Sequence, residues 1–262
     1  MKYFLTIILL TILTISCKQK DKKVQPKIET KEELLINEHN AYPDSAIITE
    51  DLIQYYRDNF EYEKAIQEAD KAIIKDSLNP RLYSIKGILL FENSDTTGAV
   101  KAFEETVRLS PDPDYLISLG TLYAQTKNPR ALKIADILLQ DFPKLNKEAF
   151  FIKGFYYNYT NDKIKAISFF NKCINISFTF MEAYREKAIA LYDLKKYNES
   201  LDVLDKALLI QNNYDEGYFY KGKTLEKLNR VDDAIDAYQR ALMYDPDYVE
   251  AQKAITRLTQ KS

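Results

Sequence analysis

A small residue recurs at intervals of about 34 positions through most of the chain. Counting back from Gly222 in such steps gives Ala188, Gly154, Gly120 and Gly87. A period of this length is typical of helix–turn–helix units that stack in chain order, because a single unit cannot bury its own apolar side. The period therefore predicts an all-α solenoid, which offers a surface for binding rather than a catalytic pocket.

The last unit, residues 215–248, shows the pattern most completely. Two sets of residues spaced four and then three positions apart mark its two helices: Tyr218, Gly222 and Leu225, then Ala234, Tyr238 and Ala241. Residues at this spacing share one face of a helix. Pro246 ends the second helix, because proline lacks a backbone donor and disfavours the helical conformation of the residue before it.

The same pattern divides the chain into six units and a closing helix. The expected bounds are 46–79, 80–112, 113–146, 147–180, 181–214 and 215–248, with the closing helix at 249–262. The third unit is slightly out of register, and the first has no glycine in its first helix. Mid-helix glycine costs roughly 0.5–1 kcal/mol relative to alanine, so its recurrence at one place predicts close helix contact there.

The recurring residue types resemble the tetratricopeptide repeat: a bulky residue, glycine or alanine, tyrosine or leucine, and later alanine, an aromatic residue, alanine and proline. The resemblance covers about residues 46–248. It implies a right-handed superhelix whose first helices line a concave groove, and a protein or peptide partner. The family often has leucine before the small residue, where this chain has Lys86, Lys153, Lys187 and Lys221. A lysine stem can lie along apolar surface, so this departure is compatible with the fold.

The resemblance also implies which side chains face the groove. The candidate partner-binding residues are Phe151, Phe155, Tyr159, Arg185, Tyr192, Phe219, Tyr220 and Lys223, and Ile152 occupies another inward-facing position. Exposed aromatic side chains in a groove favour a bound partner. The alternative is that the curvature of the solenoid buries several of them against neighbouring units.

The first 16 residues are typical of a signal peptide. An uncharged apolar run from Tyr3 to Ile15 is too short to span a bilayer comfortably, and polarity rises directly after Cys17. The border resembles the bacterial lipoprotein box, although Leu13 stands four residues before the cysteine rather than three. The resemblance implies lipidation of Cys17 and a membrane-anchored chain in the bacterial cell envelope, with the solenoid outside the cytoplasm. An uncleaved short anchor or an ordinary secretory signal are the alternatives.

Residues 17–45 are polar and rich in lysine, which is typical of a flexible tether, with a helical stretch expected at Glu32–Asn37. The single histidine, His39, lies in this segment, where neither a Ser–His pair nor a histidine-rich metal site can form around it. Cys173 occupies a small apolar position and is expected to be a buried thiol. The six glycines are dispersed along the chain and do not form the glycine-rich cluster of a phosphate-binding loop, so we expect no such loop.

The composition argues against several classes of function. Lysine and arginine total 37 against 39 acidic residues, and no basic stripe of the kind that binds nucleic acid is present. We therefore expect no nucleic-acid partner, no catalytic residues, no cofactor, no metal and no enzymatic activity. The predicted function is a membrane-tethered adaptor that binds a peptide or protein in the groove. The alternative is a permanent subunit of an envelope assembly, such as secretion, pilus or outer-membrane machinery.

Overall fold

A computed structural model describes residues 29–260 of the chain. The predicted signal peptide and Cys17 lie outside the described residues. The described part contains fourteen α-helices, which run in chain order as α1 Lys31–Ala41, α2 Ala46–Asp58, α3 Tyr62–Lys75, α4 Pro80–Glu92, α5 Thr96–Leu109, α6 Pro113–Gln125, α7 Arg130–Asp141, α8 Asn146–Tyr159, α9 Lys163–Ile176, α10 Met181–Asp193, α11 Tyr197–Ile210, α12 Asp215–Lys227, α13 Val231–Tyr244 and α14 Val249–Thr259. A short 3₁₀ turn, Pro143–Leu145, precedes α8.

Each helix packs on its neighbours in the chain, and α2 to α13 form six successive pairs that α14 closes. The six first helices, which we call the inner helices, are α2, α4, α6, α8, α10 and α12. The buried side chains form three clusters along the stack, as expected of units that each contact only the next. This arrangement confirms the predicted all-α solenoid. Within residues 29–260, no helix combines the length and the apolar character needed to cross a bilayer.

The segment before the first pair is more ordered than expected. The helical stretch predicted at Glu32–Asn37 is part of a longer helix, α1, so the flexible-tether prediction is wrong for residues 31–41. The helix begins with a capping box, in which the side chain of Thr30 accepts from the backbone of Glu33 and the Glu33 carboxylate accepts from the backbone of Thr30. Half-buried Leu35 and Ile36 pack on the first core cluster and cover an otherwise open end of the stack.

The recurring glycines allow the two helices of a pair to approach closely, as predicted. A Cβ built on Gly87 would lie 2.8 Å from the ring of Phe103, and one on Gly120 would lie 2.9 Å from Ile134 and Ile152. Such contacts are shorter than real Cβ atoms make. The cost of glycine in these helices is thus offset by the burial of a large side chain against the bare backbone.

The lysines before the small residues have a role that the sequence analysis did not identify. Three of the four form ion pairs with an aspartate on the second helix of the preceding unit: Lys86 with Asp70 at 2.5 Å, Lys153 with Asp136 at 2.6 Å and Lys221 with Asp205 at 2.7 Å. The side chains of these lysines are 17–29 % exposed, so their stems lie along the stack while the ammonium groups bridge adjacent units.

Candidate partner-binding groove

The eight predicted groove residues lie on three consecutive inner helices. Phe151, Phe155 and Tyr159 are on α8, Arg185 and Tyr192 on α10, and Phe219, Tyr220 and Lys223 on α12. Helix α10 contacts both α8 and α12, so the three helices form one continuous surface, which we call the groove.

The aromatic side chains on α8 form a row along that helix. The ring centroids of Phe151 and Phe155 are 5.4 Å apart, and those of Phe155 and Tyr159 are 4.8 Å apart in an edge-to-face arrangement. Phe180, in the loop before α10, lies 5.2 Å from Phe151. Phe151 and Phe155 are half-buried and Tyr159 is 36 % exposed, so curvature covers the row in part. Ile152 is fully buried, and its assignment to the groove is wrong because its side chain packs against Gly120 of the preceding unit.

A polar network lies beside this aromatic row. The Arg185 guanidinium pairs with Glu216 on α12 and with Glu186 at 3.2 Å, while the Asn158 amide donates to Glu186 at 3.3 Å. Burial raises the pKa of the Glu186 carboxyl, and Arg185 offsets this in part. Burial also acts to lower the pKa of Arg185, but the surrounding carboxylates outweigh it and the net shift is upward. The network therefore joins α10 to α12, and Arg185 stays charged at neutral pH.

Sequence reasoning placed Glu186 at an inward-facing position of the fifth unit but missed Glu216. Glu186 and Glu216 stand next to predicted groove residues and hold Arg185 in place. Glu216 occupies the second position of its unit, an inward-facing position of the repeat, so applying that position to the last unit would have identified it. No such signal marks Glu186 as a partner of Asn158, because the two belong to different units.

Helix α12 presents a lysine over a group of aromatic rings. The Lys223 Nζ atom lies 5.8 Å from the ring centre of Tyr192, 5.6 Å from that of Phe219 and 5.2 Å from that of Tyr220. Such cation–π contacts stabilise an ammonium group that lies over aromatic faces. Phe219 also stacks on Tyr248, in the loop before α14, at 4.7 Å. The lysine therefore lies against rings of both α10 and α12.

The groove ends in an open depression of about 550 Å³ between α12, α13 and the closing helix α14. Tyr192 and Phe219 line it together with charged residues of α12 and α14. Arg257 of α14 makes two hydrogen bonds to Glu226, at 2.7 and 2.8 Å, and the Tyr238 hydroxyl donates to the same carboxylate at 2.6 Å. The closing helix thus forms one wall of the candidate site, a contribution that the sequence analysis did not predict.

Comparison with known protein families decides the identity of the repeat. Models of the tetratricopeptide repeat match residues 50–114, 147–180 and 215–258, which together make up more than half of the chain. The chain is a tetratricopeptide repeat protein. Members of this family are in general non-enzymatic scaffolds for protein–protein interaction, and this function follows from its repeats.

Solved structures of other tetratricopeptide repeat (TPR) proteins share the fold. A TPR protein from Parabacteroides merdae is 16 % identical, with a TM-score of 0.73 over 87 % of this chain and 91 % of that one. PilW, a widely conserved type IV pilus biogenesis factor, is 14 % identical, with a TM-score of 0.60 over 79 % and 97 %. A thermophilic TPR protein in Thermus thermophilus is 16 % identical, with a TM-score of 0.59 over 70 % and 100 %. Comparison with curated proteins gave no match.

Proposed function

We propose that this TPR protein is a membrane-tethered adaptor that captures a segment of a partner protein in the groove formed by α8, α10 and α12. The observation that carries the proposal is the row of partly exposed aromatic rings on α8, Phe151, Phe155 and Tyr159, beside the network around Arg185. Aromatic side chains and arginine dominate the binding energy of protein interfaces. Rings held by their neighbours lose little conformational entropy when a partner binds.

The tether in this proposal is a lipid on Cys17. The cysteine stands at the border between an apolar run and a polar segment, and only 11 residues separate it from Glu29, where the described structure begins. Even fully extended, a segment of that length reaches no more than about 40 Å, so the adaptor would work close to a membrane surface. Exchange of Cys17 for serine is expected to move the protein from the membrane fraction to the soluble fraction, and a protein that stays with the membranes would exclude the lipid anchor.

The groove is tested by site-specific photocrosslinking in intact cells. A photoreactive amino acid at Tyr159 is expected to trap a discrete partner, whereas the same amino acid at Lys206, exposed on the outer helix α11, is not. The double variant Phe151→Ala, Phe155→Ala should abolish the adduct at Tyr159 while circular dichroism shows that the helices remain. An adduct at Lys206 alone, or one that persists in the double variant, would exclude the groove.

A second candidate function is a permanent subunit of an envelope assembly. Exposed apolar side chains gather where second helices end, and include Leu209 at 86 %, Met243 at 71 % and Phe178, in the loop after α9, at 67 %. Exposed apolar area of this kind is typical of surfaces that a partner covers. The shared fold with PilW is compatible with this role. Purification from membranes distinguishes the adaptor from the permanent subunit. A complex of fixed stoichiometry that persists in the double variant Phe151→Ala, Phe155→Ala would favour the permanent subunit.

A further inference from the structure

Phe60 differs from the residues at the matching place in the other five helix pairs. The turn inside each pair has one exposed residue with a positive φ, and in the later pairs this residue is polar: Ser94, Lys127, Asn161, Lys195 and Asn229. Phe60 has a φ of 59° and is 78 % exposed. A phenylalanine disfavours both this backbone conformation and contact with water. The exception therefore needs a reason outside the turn itself.

The fold does not account for the ring of Phe60. The Phe60 amide closes the turn by donating to the Arg57 carbonyl at 2.9 Å, and the Lys195 amide makes the equivalent bond in the fifth pair at 2.8 Å. The ring approaches Tyr62 edge to face, with centroids 6.3 Å apart, but Phe60 is not a member of the first core cluster. The turn would therefore form with a polar residue, as it does in the later pairs.

The turn of Phe60 lies beside the start of α1. The Nζ atom of Lys64, in the first turn of α3, lies 2.5 Å from a carboxylate oxygen of Glu61, the residue after Phe60. The same atom lies 3.0 Å from a carboxylate oxygen of Glu32, in the first turn of α1. The chain toward Cys17 therefore leaves α1 at the edge of the solenoid where Phe60 is exposed.

The other end of α1 lies at the opposite edge. There the Lys75 ammonium, at the end of α3, donates to the carbonyl oxygen of Pro43, two residues after α1, at 2.7 Å. Leu78, just beyond α3 and 74 % exposed, belongs to this second edge. Since α3 has 14 residues that each add about 1.5 Å, the two edges are about 20 Å apart. The edge that carries Phe60 is thus the one that adjoins the start of the tether.

We infer that Phe60 inserts its ring into the surface of the lipid bilayer, so that the solenoid faces the membrane with this edge. The inference rests on the lipid anchor of the proposed function and adds an orientation to it. Residues 18–28, which link Cys17 to the described structure, reach no more than about 40 Å when fully extended. They include five lysines and one aspartate, and lysines next to a bilayer are attracted to anionic headgroups. An exposed aromatic ring that reaches the interface is removed from water there.

The test uses the absence of tryptophan from the sequence, because a single introduced indole then reports alone. The full-length Phe60→Trp variant is purified in detergent and reconstituted into vesicles of phosphatidylethanolamine and phosphatidylglycerol, with and without bromine on the acyl chains. Bromine quenches indole fluorescence on contact. We expect the emission to fall about twofold in the brominated vesicles, because an interfacial side chain lies roughly 5–10 Å deep.

Two further tryptophan variants serve as matched controls. Lys195→Trp places the indole in the same turn of the fifth pair, and Leu78→Trp places it at an exposed apolar position at the far end of α3. Both should give the same emission with and without bromine. Phe60→Asn gives the first turn the residue type of Asn161, and urea unfolding should show no loss of stability, because asparagine tolerates the positive φ.

The outcomes separate this contact from the lipid anchor. Equal Phe60→Trp emission in the two kinds of vesicle, quenching of all three tryptophan variants alike, or a loss of stability in Phe60→Asn would overturn the inference. So would a blue-shifted emission from Phe60→Trp in a Cys17→Ser background without lipid or detergent, because another part of the chain would then cover the ring. Flotation of the vesicles reports on the anchor separately. A chain that floats without quenching keeps the anchor but not the contact, and quenching that persists in the Cys17→Ser background keeps the contact without the lipid.

Discussion

Gly154 lies so close to Phe170 that a Cβ built on the glycine would stand 2.6 Å from the Cε1 atom of the ring. The same relationship joins Gly222 to Tyr238, at 2.7 Å. In the fifth unit the equivalent positions hold Ala188 and Leu204, and both are buried. Where the second helix presents an aromatic ring, the first helix presents a bare backbone. Where the ring is replaced by the smaller leucine, the first helix carries a methyl group.

Exchange of Gly154 for alanine is expected to destabilise the protein by about 1–3 kcal/mol, because the new methyl group overpacks a fully buried ring. This loss exceeds the gain in helix propensity of about 1 kcal/mol. Addition of Phe170→Leu should recover part of the loss by reproducing the pair found in the fifth unit. Urea unfolding of the two single variants and the double variant measures the coupling. Strictly additive effects would show that the two residues do not compete for the same space.

Three inner-helix lysines pair with an aspartate of the preceding unit, but Lys187 does not have such an aspartate before it. Asn171 on α9 occupies the equivalent position. It stands sixteen residues before Lys187, as Asp70 does before Lys86 and Asp205 before Lys221. Burial lowers the pKa of Lys187, and the nearby Lys206 lowers it further. Asn171→Asp is expected to raise that pKa and to stabilise the protein by about 0.5–1 kcal/mol. Nuclear magnetic resonance titration of Lys187 measures the change in its pKa, and urea unfolding measures the change in stability. In a Lys187→Gln background, Asn171→Asp should give no gain in stability.

Each turn between the two helices of a unit contains one residue with a positive φ, and these six are Phe60, Ser94, Lys127, Asn161, Lys195 and Asn229. Residues other than glycine and asparagine disfavour this conformation, because their Cβ atom crowds the backbone. Lys195→Gly is therefore expected to stabilise the protein by about 0.5–1 kcal/mol, since the lysine side chain is exposed and the backbone strain is relieved. Asn229→Gly should be close to neutral, because asparagine already tolerates this conformation. Thermal unfolding of both variants measures the difference, and equal effects would contradict the explanation.

The buried carboxyl of Glu186 predicts a pH-dependent contribution to stability. Its pKa is raised in the folded protein by burial, so the folded state favours the protonated form. Its contribution is fully present below the unfolded pKa of about 4.3 and is lost as the pH rises through the folded pKa. Relative to the wild type, Glu186→Gln should gain stability across that interval. Urea unfolding at several pH values from about 4 to 7 checks this, and a constant difference would contradict it.

The sequence was sufficient for the helix pairs but not for the contacts between them. The glycine positions follow from local spacing, because residues three and four apart share a helix face. The ion pair of Lys86 with Asp70 joins neighbouring units, and neither residue alone marks the contact. The positive φ of Phe60, Lys127 and Lys195 was not predicted, because phenylalanine and lysine are not typical turn residues.

In the candidate site too, the sequence predicted the positions of residues but not their contacts. The repeat positions brought Phe151, Tyr192 and Lys223 to one surface, yet the sequence left open how much of each ring the curvature covers. The structure leaves the rings half-buried and adds Arg257 of the closing helix to the site, 31 residues from its partner Glu226.

By itself, the sequence determined the period, the two helices of each unit and the inner or outer position of most residues, because these follow from the geometry of a single helix. Only the tertiary structure decided which rings stay accessible and which carboxylate each cation of residues 29–260 meets. Both depend on the angle at which one unit packs on the next, and that angle is the result of many side-chain contacts acting together.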